Sequence, residues 1–179
     1  MKDWNIIISV FQDGFKQAVR ALKLFGTVDR SPYHNVLVMA VENPLALLES
    51  IEREVDSRPF LYDAISRVAP AARCFEFHSA EEFVESARSI LTEWLSRLRG
   101  HSFHVRVHRR GFKHDLRTPD VERLLDGDVL EALRQAGAPG SISFLDPDFV
   151  VAIDTIDDRA GMSLWSRDEL ARHRLVRPD

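Results

Sequence analysis

Apolar residues recur along the chain with two periods, and the switches between them mark the elements. Trp4-Asn5-Ile6-Ile7-Ile8-Ser9-Val10 is β-branched and bounded by polar residues, which predicts a buried strand. Phe15, Val19, Leu22 and Phe25 then fall at helical spacing up to Gly26, a residue suited to a helix stop. Asn35 to Val41 predicts a second strand. Asn43-Pro44 places a capping side chain before a proline at the first helical position, opening a helix to about Asp56 with Leu45, Leu48, Ile51 and Val55 on its apolar face. Ala64–Val68 and Cys74–Phe77 are shorter strand candidates, separated by the breaker Ala69-Pro70. Residues 1–78 are therefore expected to form an α+β domain of ferredoxin-like order.

Ser79-Ala80-Glu81-Glu82 fits a capping box, and Phe83, Ala87, Ile90, Leu91, Trp94 and Leu98 follow at 3.6-residue spacing to Gly100. Next, Phe103, Val105 and Val107 alternate with His104, Arg106 and His108, so a strand here sends apolar side chains to one face and basic ones to the other. Thr118-Pro119-Asp120 opens a helix whose inward side is Val121, Leu124, Leu125, Val129, Leu130 and Leu133, with Gly137 beyond its end. Phe149–Ile153 and Met162–Trp165 read as strands joined by a tight connection over 157–161, and Ser166-x-x-Glu169 starts a short basic helix. Residues 79–179 form the second expected domain, and the whole is α+β.

Composition narrows the class without naming a function. Of 179 residues, 45% are hydrophobic and 29% charged, which excludes disorder as the main state and, at this length, a large multidomain enzyme. The single cysteine, Cys74, cannot close an internal disulfide and is too few for a thiolate zinc site. With no signal-peptide pattern and no apolar run near 20 residues, a cytoplasmic protein without membrane contact is expected.

Net charge is −4, but its distribution is uneven. From Arg97 to Arg117 lie Arg97, Arg99, Arg106, Arg109, Arg110, Lys113 and Arg117 against the single acid Asp115, with His101, His104, His108 and His114 interleaved. Such a run is often a solvated surface, and Arg97 and Arg99 suit a helix end without any ligand. Arg109-Arg110-Gly111-Phe112-Lys113, however, leaves a strand into a loop, where arginines can fork onto phosphate oxygens and glycine lets backbone approach. Strand parity places Arg109 with Val105 and Val107, so a salt bridge to a carboxylate competes there with contact to a polyanion.

Catalytic and metal signatures are missing from the sequence: no GxGxxG, Walker, GxSxG or HExxH pattern occurs. His104 and His108 share strand parity but lie about 13 Å apart, too far to chelate one ion unaided. Turns and caps account for Asp146, Asp148, Asp154, Asp157 and Asp158 more simply than a divalent ion. No cofactor, metal or catalytic residue is expected. The rival readings are an RNA-modifying enzyme using Asp157, Asp158 and His108 as acid–base groups, and a protein-interaction scaffold.

In order along the chain, residues 103–111, the helix from Thr118, Leu145–Ile153 and Asp158–Leu164 resemble the THUMP domain, an RNA-binding module of tRNA thiouridine synthases, RNA methyltransferases and archaeal pseudouridine synthases. The resemblance covers about residues 79–179. The upstream ferredoxin-like portion is similar to the one preceding THUMP in those enzymes and in the small stand-alone adaptor that assists tRNA cytidine acetylation. The resemblance implies binding of tRNA or another structured RNA, with catalysis supplied by a partner modification enzyme. It makes Arg106, Arg109, Arg110 and Lys113 phosphate contacts and Arg159 either a further contact or structural. His108 and Arg117, from the same strip, complete the candidate RNA-binding set. A basic tail over 172–177 departs from the adaptor pattern.

Overall fold

Three adjacent isoleucines begin the first sheet, and both of its faces are covered where they lie: Ile6, Ile7 and Ile8 are at most 1% exposed. They sit in β1 (Ile6–Val10), followed by α1 (Phe15–Leu22), β2 (Asp29–Arg30), β3 (Val36–Met39), α2 (Pro44–Ser57) and β4 (Ile65–Pro70). The sheet order is β2-β3-β1-β4 with every pairing antiparallel, which is the expected ferredoxin-like βαββαβ arrangement. The computed structural model describes residues 3–112 and 117–178.

Local chemistry accounts for most of these boundaries. Asn43 caps α2 by accepting the Ala46 N–H at 3.0 Å, and Pro44 opens the helix. The buried face of α2 is Leu47, Leu48, Ile51 and Val55; Leu45, expected inward, is 45% exposed, because the stripe through Ile51 and Val55 passes Leu47 instead. α1 stops at Leu22 rather than near Phe25, since Leu24 and Phe25 bond back three residues and tighten the end. The two expected strands form, but Ala69-Pro70 belongs to β4 and the break falls at Ala71-Ala72. Pro70 ends an edge strand opposite Ile6, where a missing N–H is tolerated.

The second unit contains β5 (Arg73–Glu76), α3 (Ala80–Leu98), β6 (Ser102–His108), α4 (Thr118–Gln135), β7 (Ser141–Ile142), β8 (Phe149–Ile156) and β9 (Arg159–Ser166). Its sheet order is β5-β9-β8-β6-β7, with β6 parallel to β8 and α4 in the crossover between them. Ser79 accepts the Glu82 N–H at 3.1 Å and opens α3 as its box requires. Phe83, Leu91 and Leu98 of α3 join Leu125 and Leu133 of α4 and Phe103, Val105, Val151 and Ile153 of the sheet in one core. Leu124, expected inward, is 45% exposed, and Asp126 is buried beside Leu125.

The division of the chain differs from the expected junction at residue 78. The first unit takes Met1–Ala72 and Leu170–Arg177, and the second takes Arg73–Glu169 and Pro178–Asp179. β5, assigned from sequence to the first domain, pairs with β9 in the second sheet. A four-residue apolar run does not encode its partner, which is why the pattern left it on the wrong side.

After α5 (Arg167–Arg172), the basic tail returns to the first unit. The Val68 N–H donates to the Leu175 carbonyl at 2.9 Å. Glu52 of α2 meets His173 Nδ1 at 2.8 Å and receives the Leu175 N–H, while Arg174 pairs with Asp56 at 2.7 Å. Leu175 and Val176 are buried. The tail is thus a structural strap.

Candidate nucleic-acid interface

Strand direction brings Arg106, Arg109, Arg110 and Arg159 toward one end of the second unit. β6 and β8 are parallel, and β5 runs antiparallel to β9, itself antiparallel to β8, so the carboxyl ends of β5, β6 and β8 lie together. α3 and α4 start just after two of those strands, placing their N-terminal turns at the same end. Crevices beyond the carboxyl ends of strands, with helix N-termini beside them, are where such sheets receive anions.

Backbone bonds fasten this end. The Asp157 N–H donates to the Arg110 carbonyl at 2.9 Å, the Phe77 N–H to the Asp158 carbonyl at 2.8 Å, and the Arg110 N–H to Thr155 Oγ1 at 2.9 Å. Gly111 at φ 92° and Phe112 at φ 51° turn the chain out of β6. The Phe112 ring then packs 5.0 Å from Phe77, an anchor for the loop and not an exposed base-stacking platform.

The predicted residues play unequal parts. Arg106, half-buried on β6, has no ion-pair partner among the described residues. Arg109 makes no salt bridge to a described carboxylate, against the parity expectation; its guanidinium donates to the Gly111 carbonyl at 2.8 Å. Arg110 is the paired one, 3.3 Å from Asp154, with both side chains largely buried. β6 ends at His108, so strand parity cannot be carried to 109 and 110. Arg159 stands 3.7 Å from Glu76, whose side chain is 59% exposed. Arg117 precedes α4 and is 81% exposed, 3.5 Å from Asp120, a contact that phosphate can replace at little cost. His108 is half-buried on the strand. Lys113 lies outside the described residues.

The basic face of β6 is not a uniform cationic plane. His104 is 4% exposed and its Nδ1 lies 2.8 Å from Asp126 of α4. Asp126 also accepts the Val105 N–H at 2.8 Å, and Glu122 accepts the Val107 N–H at 2.8 Å. β7 pairs with β6 over Ser102 and Phe103, so these two carboxylates, one helical turn apart, serve the strand's edge donors beyond it. Burial pushes the Asp126 carboxyl above the usual carboxylate range, against the pull of the Val105 N–H and His104. The sequence reading missed this pair; its signal was Glu122 and Asp126 four apart on the helix facing the strand.

Three of the five Asp residues considered as metal ligands have arginine partners: Asp146 and Asp148 meet Arg167 at 2.9 and 3.1 Å, and Asp154 meets Arg110. Among the described residues no group of three or more His, Cys, Asp or Glu is placed to hold an ion. Cys74 is half-buried, and burial raises its thiol pKa, the opposite of an activated nucleophile. Among the described residues no helix is long and apolar enough to cross a membrane.

A mixed sheet with helices α3 and α4 in its two crossovers, and arginines gathered beside two helix N-termini at the carboxyl ends of its strands, defines an α+β module. Residues 77–164 match the family model of the THUMP domain, and the chain carries a THUMP domain there. Among curated proteins, a tRNA sulfurtransferase of Escherichia coli is 28% identical over 141 residues, covering 76% of this chain and 28% of its own length. That of Klebsiella pneumoniae is 29% identical over 117 residues, covering 63% and 23%. The chain thus spans about a quarter of the length of these relatives. Among solved structures, a protein from Pyrococcus horikoshii shares the fold at TM-score 0.63 and 12% identity, covering 89% of this chain and 53% of that one. A 4-thiouridine synthetase, solved in complex with RNA and with ATP bound, aligns at TM-score 0.53 and 15% identity over 90% of this chain and 41% of its own.

Proposed function

We propose that the protein binds tRNA through the arginine-bearing end of its second unit and presents it to a separate modification enzyme, without catalysis of its own. The observation that carries this reading is the gathering of Arg106, Arg109, Arg110, Arg117 and Arg159 beside two helix N-termini at the carboxyl end of a THUMP sheet. The curated relatives, which are tRNA sulfurtransferases, and the fold neighbour solved with RNA support it. Guanidinium groups fork onto phosphate oxygens, and exposed pairs such as Arg117–Asp120 exchange readily for a phosphate. The non-catalytic half rests on the described side chains at this end: Arg110 pairs with Asp154, Arg159 with Glu76, and Glu122 caps the Val107 N–H, with no nucleophile–base arrangement among them.

Filter binding of tRNA across a salt series tests the first half. With about six phosphates neutralised on single-stranded or end regions, log Kd against log salt has a slope near 4 in magnitude, and the joint change of Arg106 and Arg117 to Gln lowers it by about 1.4. A folded protein that fails to retain tRNA at low salt overturns the reading. Incubation with unmodified tRNA and methyl, acetyl or sulfur donors, followed by nucleoside mass spectrometry, tests the second half; a new modified nucleoside refutes it.

A further inference from the structure

The first unit carries cations that its own fold leaves unneutralised. Lys16, Arg20 and Lys23 are exposed on α1 and the residue after it, spaced i, i+4, i+7 on one helix face. None of them forms an ion pair with a described residue. Arg20 and Lys23 suit the carboxyl end of α1, but Lys16 in its first turn faces the unfavourable end of the dipole and repels Arg20 at i, i+4, so helix stability does not account for the whole row. The same face forms one wall of an open groove of about 360 Å³, whose opposite wall holds Arg58 and Phe60. Among the described residues no carboxylate lines it. The Phe60 ring stands 57% exposed beside three cations. Arg58 is half-exposed and contacts Glu54 at 3.0 Å, a pairing that competes weakly with phosphate.

We infer that this groove is a second RNA-binding surface, in which Lys16, Arg20 and Arg58 take backbone phosphates, Lys23 continues their row past the groove at the end of α1, and Phe60 stacks an unpaired base. Cations set along a groove with an exposed aromatic among them are the chemistry of single-stranded nucleic-acid platforms. The helix advances about 6 Å from Lys16 to Arg20 and about 4.5 Å on to Lys23, so the cations follow a strand instead of gathering on one ion. An acidic polypeptide would meet the charges but leave the ring's flat face unused. The inference rests on the proposed RNA binding and extends it to a unit that the sequence reading left without a role.

The full chain is tested as three variants, K16Q/R20Q/K23Q, F60A and R106Q/R117Q, each checked for folding by circular dichroism. The probes are tRNA and oligouridine, with poly-L-glutamate as competitor. The triple variant is expected to lower the salt slope for tRNA by about 2, and F60A to weaken oligouridine binding about tenfold while leaving the slope unchanged. If R106Q/R117Q weakens tRNA binding while the triple variant and F60A match wild type, the inference falls and the proposed function stands. If wild type binds neither RNA, both fall. Displacement of oligouridine by poly-L-glutamate at equal charge, with F60A indistinguishable from wild type, assigns the groove to acidic polypeptide and overturns the inference.

Discussion

Replacing Asp126 with alanine isolates the contact that closes the edge of β6. The carboxylate satisfies the Val105 N–H and His104 Nδ1, each at 2.8 Å, in a setting where Asp126 is 5% and His104 4% exposed. His104 Nε2 is already buried without a hydrogen-bond partner, so the substitution strands a backbone donor and leaves the imidazole with no bond at either nitrogen. A stranded buried polar group costs about 1–3 kcal/mol, and two of them cost about 2–6 kcal/mol. Part of this is returned, because burial raises the Asp126 pKa and the ionised carboxylate is itself held at a cost. The net expectation is a loss of about 2–4 kcal/mol. Asp126→Asn keeps an acceptor for Val105 and an amide for the imidazole, so it recovers more than half. Urea denaturation followed by circular dichroism measures both. Alanine within about 0.5 kcal/mol of wild type, or asparagine no better than alanine, refutes the edge-sealing account.

The pH dependence of the same variants carries a definite sign. A raised folded-state pKa means that the native protein holds the Asp126 proton more tightly than the unfolded chain, so wild type loses stability relative to Asp126→Asn as pH rises from the ordinary carboxylate range through the raised value. Asp148 behaves oppositely: the Ser102 N–H and hydroxyl hold its carboxyl below the usual range, so its contribution is full above that range and fades as pH falls, and Asp148→Asn flattens the acid limb of a stability profile. Arg110→Gln takes the guanidinium away from the buried Asp154 and lowers stability by about 1–3 kcal/mol in urea, whereas Arg106→Gln leaves stability within about 0.5 kcal/mol and changes RNA retention alone. Leu175→Ala, at a site 1% exposed, destabilises the first unit by about 2–4 kcal/mol, read as a lower urea midpoint.

Local signals made the helices readable, and partner choice hid the rest. Ser79 and Asn43 cap where the sequence places them, because a cap is satisfied within three residues. β5 was misassigned because strand pairing is settled across the sheet, by Arg73–Glu76 meeting Arg159–Met162. The arginine strip was readable as composition, but its division of labour was not. Arg110 is held by Asp154, 44 residues later, and Arg109 turns back to its own loop. Asp126 was invisible to an apolar-periodicity rule that expects no carboxylate inside.

The strap over Leu170–Arg177 makes the first unit discontinuous, with Arg73–Glu169 threaded between its two pieces. Residues 170–177 are the last of the first unit to be synthesised, so its opening strands and helices emerge long before the segment whose Leu175 and Val176 complete their burial. Loss of Leu175 and Val176 would therefore be felt at the amino-terminal end, in a unit about a hundred residues earlier in the chain.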